Sequence, residues 1–74
     1  MVEVMVVTVI YGGPTWTKRA HLPQWSIEAA RELAYGDRTR CPVDTEQAVE
    51  GGFVFEIAQE QPWTWDRVVV IRLS

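Results

Sequence analysis

The sequence predicts a small α+β domain in the order β-β-α-(short α)-β-β. Three observations carry that reading. Two runs rich in β-branched residues lie near the two ends of the chain, at 2–11 and 67–73. One capped stretch with helical spacing, 26–35, lies between them. Glycine pairs at 12–13 and 51–52 mark sharp turns. At 74 residues there is room for a single domain, 1–74, and the 47% of residues that are hydrophobic, four of them Trp, can supply its core.

Residues 2–11 form the strongest strand signal. Val, Ile and Thr suit a pleated surface, and both faces of this run are apolar apart from Glu3, as in a central strand. After the turn at Gly12-Gly13-Pro14, residues 15–22 read as an edge strand, since Lys18, Arg19 and His21 discourage sheet-to-sheet association. Ser26 is an N-cap for the main helix, Glu28 suits the positive end of the helix dipole, and Gly36 is the stop. Ile27, Ala30, Leu33 and Ala34 form the apolar stripe. Residues 44–50 have two readings. Asp44 and Gln47 form a capping pair for a short helix ended by Gly51, whereas Val43, Thr45, Gln47 and Val49 alternate as a strand would. The helix-forming Glu, Gln and Ala favour the short helix. Residues 53–59 are a third strand, with Phe53, Phe55 and Ile57 on one face. Residues 61–66 connect it to the last strand, 67–73, whose run Val68-Val69-Val70-Ile71 again reads as central.

Placing the two most apolar strands side by side gives a four-stranded sheet of order 2-1-4-3, with the main helix 26–35 on one face. Its central strands, 2–11 and 67–73, would be parallel, joined by a right-handed crossover. This element order resembles the β-grasp layout of ubiquitin-like and immunoglobulin-binding bacterial domains. The chain departs from ubiquitin-type modifiers in ending Arg72-Leu73-Ser74 instead of in a Gly-Gly tail.

Charge narrows the function classes. The net charge of −3 argues against a dedicated nucleic-acid binder, which carries a strong basic excess. The single cysteine, Cys41, forms no internal disulfide, which favours a cytoplasmic setting. The apolar stretch 1–11 lacks the basic flank of a signal peptide and falls short of the ~20 residues of a membrane span. Basic groups gather at 18–40 (Lys18, Arg19, Arg31, Arg38, Arg40), and 44–60 is purely acidic in its charged residues (Asp44, Glu46, Glu50, Glu56, Glu60).

The candidate chemistry is sparse. Arg38 and Arg40 beside Cys41 would lower a thiol pKa, but His21 is the sole candidate base, and a hydrolase also requires an oxyanion hole and a cleft. The sequence therefore assigns no catalytic residue. One His and one Cys do not form a zinc set, and the acids at 44, 46 and 50 lack calcium-loop spacing; no metal site and no cofactor are implied. Arg38 and Arg40 are the candidate phosphate contacts. Trp63 and Trp65 lie two apart, so in an extended segment both rings point the same way, either capping the core or presenting an anchor to a protein partner.

The leading functional expectation is a non-catalytic protein-binding module, with Trp63, Trp65 and the acids Asp44, Glu46, Glu50, Glu56 and Glu60 as its contact residues. A helix on one sheet face also leaves Met5, Val7, Val9 and either Val69 or Val70 to be covered on the other, by a protein partner or by a second copy. The capped helix Ser26-Ile27-Glu28-Ala29-Ala30 beside hairpins resembles the small inhibitors encoded by phages, the anti-CRISPR proteins among them. That resemblance implies a target in a host nucleic-acid-handling defence complex such as CRISPR-Cas. Two other classes stay open: a small nucleic-acid-binding regulator using Lys18, Arg19, Arg38 and Arg40, and a small enzyme or enzyme subunit dependent on Cys41.

Overall fold

The strands pair through one another's backbones into a single five-stranded sheet, seen in a computed structural model that describes residues 1–10, 12–36, 43–58 and 65–74. The described residues form, in order, β1 Val2–Val9, β2 Thr15–Leu22, α1 Ile27–Tyr35, β3 Val43–Val49, β4 Gly52–Ala58 and β5 Trp65–Arg72. The sheet order is β2-β1-β5-β4-β3, and every neighbouring pair is antiparallel.

This overturns the expected four-stranded, β-grasp-like sheet. Residues 43–49 are a strand, not a short helix, and pair with β4 along its length, with a register shift between Val43 and Thr45. Helix propensities differ by only about 0.7 kcal/mol per residue among ordinary residues, so ladder hydrogen bonds along a free sheet edge decide the outcome. The extra strand also reverses the direction of the last strand. β1 and β5 do lie side by side at the centre, with Val6 opposite Val70, but they run antiparallel. β5 therefore arrives by hairpin connections from β3 and β4, with no parallel crossover into the centre. It also begins earlier than expected, so that Trp65 and Asp66 belong to the strand and not to the connector.

The helix is delimited as its local chemistry demands. The Ser26 hydroxyl accepts a hydrogen bond from the Ala29 backbone N–H at 3.2 Å. At the other end Gly36 adopts a positive φ of 52° while its N–H donates to the Glu32 carbonyl at 3.1 Å. Edge strands β2 and β3 run in the same direction, so the path between them carries the chain from one edge of the sheet to the other. Helix α1 lies on that path and sits on a single face.

That face is the core. Val4 and Val6 of β1, Leu22 of β2, Phe53, Phe55 and Ile57 of β4, and Val68 and Val70 of β5 are buried beneath Ala30 and Ala34 of the helix. The period of two places these residues on one side of each strand. Trp25, just before the helix, stacks on Phe53 with ring centroids 4.7 Å apart, and the Arg72 guanidinium lies 5.2 Å above the Trp25 ring. Such a cation over an indole contributes about 0.5–1 kcal/mol where solvent reaches it.

Candidate functional site: the open sheet face

Alternation turns every second residue of the same strands away from the helix. Antiparallel partners directly opposite each other share a face, so the register defines three rows across the open side. The middle row runs Thr17, Val7, Val69, Val54, Gln47 from β2 to β3. On one side of it lies Arg19, Met5, Ile71, Gly52, Val49; on the other lies Thr15, Val9, Arg67, Glu56, Thr45. No described secondary-structure element lies on this face. Val9, Val49 and Ile71 are each 40% exposed, although all three are large apolar residues in regular strands. The apolar side chains of the middle row and of Met5 and Ile71 are contiguous; charge enters at Arg19 on the β2 edge and at the cross-strand pair Arg67 and Glu56 in the centre of the third row.

The choice left open between Val69 and Val70 is settled by register. Val70 is fully buried against the helix side and Val69 faces outward. Val49, Val54 and Ile71 also belong to the patch. Sequence reasoning missed that grouping because it depends on β3 being a strand and on which strands adjoin; the period-two alternation in 52–58 was the available signal.

The acidic residues do not gather on one surface among the described residues. Glu46 faces the helix, where Arg31 grips both carboxylate oxygens: Nη2 donates to Oε1 at 2.7 Å and Nε donates to Oε2. Glu56 points to the opposite face, accepting a hydrogen bond from Thr45 Oγ1 at 3.3 Å. Glu50 is exposed in the β3–β4 turn. The Asp44 side chain and Glu60 lie outside the described residues, as do Trp63, Arg38, Arg40 and Cys41. Trp65 is on the open face at the start of β5 and is 39% exposed. Lys18 and Arg19 are consecutive in β2 and so face opposite sides of the sheet. His21 is exposed opposite Glu3, and Arg19 reaches the same Glu3 at 3.8 Å. Among the described residues no group of three or more His, Cys, Asp or Glu could hold a metal ion, and no helix is long and apolar enough to cross a membrane.

Among the shallow grooves on the helix side, one of about 340 Å³ is lined by Val6, Thr8, Trp16, Thr17 and Lys18. Trp16 is 62% exposed there. The groove brings a single charged group, Lys18, to an otherwise neutral lining.

The Arg31–Glu46 pair has a pH signature. Hydrogen bonding to Arg31 holds the Glu46 carboxyl below its ordinary value of 4.5, against a smaller opposing effect of burial. A depressed carboxyl pKa stabilises the fold above the unfolded value, and that contribution is lost as pH falls through the folded one. Glu46→Gln is therefore expected to lower stability at neutral pH and to lose that difference in acid, below about pH 4. Urea titrations across pH check it; a gap between the two chains that persists unchanged in acid would remove the carboxylate from the explanation. The pair is partly exposed, so salt should shrink the effect.

A scan against protein-family models, a search of curated proteins and a search of solved structures each return no match to this chain.

Proposed function

We propose that this chain is a non-catalytic protein-binding module whose working surface is the open sheet face. The observation that supports the reading is the contiguous row Val7, Val69, Val54, flanked by Met5, Ile71 and Val9, on the side of the sheet that the helix does not cover. Apolar area of this extent on one face of a small domain gains free energy when another protein covers it. Val, Ile and Met bring shape and apolar area to a surface and no acid, base or nucleophile. Trp65 at the end of the same face adds an aromatic of the kind that anchors interfaces. A small inhibitor of a host nucleic-acid-handling complex would act through such a surface by occlusion. The test is to purify tagged wild-type and Val69→Glu chains from the native host without denaturant and to measure the mass of each assembly. Wild type is expected to run above its 8.5 kDa chain mass and Val69→Glu at that mass. Equal masses for the two, with matching circular dichroism, would overturn the reading.

A further inference from the structure

We propose that β3 is a detachable edge strand, latched to the helix through the Arg31–Glu46 pair, which opens and re-pairs while β1, β2, β4, β5 and α1 stay folded. The two edges of the sheet are anchored differently. β2 is held in the core by Leu22, which is 2% exposed, with Ala20 packed beside it. β3 has no such anchor among its described side chains: Thr45, Gln47, Ala48 and Val49 are exposed and Glu46 is half-buried. Ala48 is exposed even though it lies on the helix side, opposite the buried Phe53, so cover on that side ends at β4 here. A segment with few buried apolar contacts lies at the low end of local stability.

β3 is therefore kept in place by its ladder with β4 and by polar contacts. The ladder is irregular where the strand begins, at the register shift between Val43 and Thr45. The Thr45 Oγ1 bond to Glu56 is long, at 3.3 Å, and exposed. The Arg31–Glu46 pair is bidentate and reaches across from α1, so it ties the strand to the helix. The turn that follows β3 is fixed independently: the Gly51 carbonyl accepts the Arg72 N–H at 2.9 Å, which pins the turn to β5. β3 can thus swing away ahead of Gly51 while β4 keeps its ladder with β5 and its buried Phe53, Phe55 and Ile57. Local preference does not oppose this, because Glu46, Gln47 and Ala48 are helix formers. Opening leaves a row of unpaired backbone N–H and C=O groups along a strand that is still docked, the template on which another extended segment pairs.

β4 contains the signature. In an antiparallel strand paired on both sides, successive residues direct their N–H groups alternately to one neighbour and to the other. The experiment is residue-resolved hydrogen exchange of the full chain under native conditions, corrected for intrinsic sequence rates. Alternate β4 amides, those aimed at β3, are expected to exchange together with β3 and at least roughly tenfold faster than those aimed at β5. Uniform protection along β4 overturns the detachable strand. Glu46→Gln and Arg31→Met are each expected to speed β3 exchange about two- to fivefold, the range of a partly exposed ion pair, and the two together no further. Unchanged β3 exchange in both variants overturns the latch. Val6→Ala thins the core two strands away from β3. It is expected to speed the slowest β1 and β5 amides roughly tenfold or more and to leave β3 exchange as it is, since that core survives the opening. Equal acceleration of β3 would mean that it opens only with the whole domain, and the proposal would fall.

Discussion

Phe55→Ala is expected to remove about 3–5 kcal/mol of the stability of the fold. Phe55 is fully buried at the middle of β4, beneath the helix and opposite Val68. Truncating a buried Phe removes its transfer free energy and leaves a cavity, together costing about 3–5 kcal/mol. At roughly 0.05–0.15 kcal/mol per residue, a chain of this length holds about 4–11 kcal/mol in all, so this one side chain accounts for a large share. Val54→Ala, one residue away on the other side of the same strand, is expected to cost about 1 kcal/mol or less. Urea unfolding of the two variants followed by near-ultraviolet circular dichroism, which reads the Trp25–Phe53 environment, makes the comparison. Similar losses for both would mean that the two faces of β4 are equally covered, and the division into a core face and an open face would be wrong.

That division also separates what was legible in the sequence from what was not. Ser26 and Gly36 act on their own neighbours within a few residues, so the helix ends could be read locally. The alternation of Phe53, Phe55 and Ile57 likewise defines a core face whatever lies beside it. Residues 43–49 are different. Their own preferences point to a helix, and their conformation is decided by β4, which offers a free edge only once Phe53, Phe55 and Ile57 have docked under α1. One misread segment then altered the whole topology, because inserting a strand before β4 turned β5 antiparallel to β1. The site was legible in kind but not in membership. A helix on one face implies an uncovered face, yet the place of Val49, Val54 and Ile71 in it is set by strand order. Glu46 shows the same limit in reverse: an acid in an acidic run reads as surface charge until β3 sets it opposite Arg31.

Gly52→Ala is expected to destabilise the fold by roughly 1–3 kcal/mol, the range for forcing atoms into packed space. The sign is informative, because replacing Gly by Ala at a compatible site normally stabilises by about 0.4–1 kcal/mol through the unfolded chain. Here a Cβ would stand 2.5 Å from the Val70 carbonyl oxygen and 3.4 Å from its carbon. Those are backbone atoms of β5, which is paired on both sides and has nowhere to retreat. Gly51 provides the contrast. It has a φ of 75° and nothing within 4 Å of a built Cβ, so Gly51→Ala meets backbone strain alone, about 1–2 kcal/mol. Unfolding at low chain concentration isolates the clash with β5. A Gly52→Ala chain as stable as wild type would mean that β4 and β5 are spaced more widely at this point than the sheet register places them.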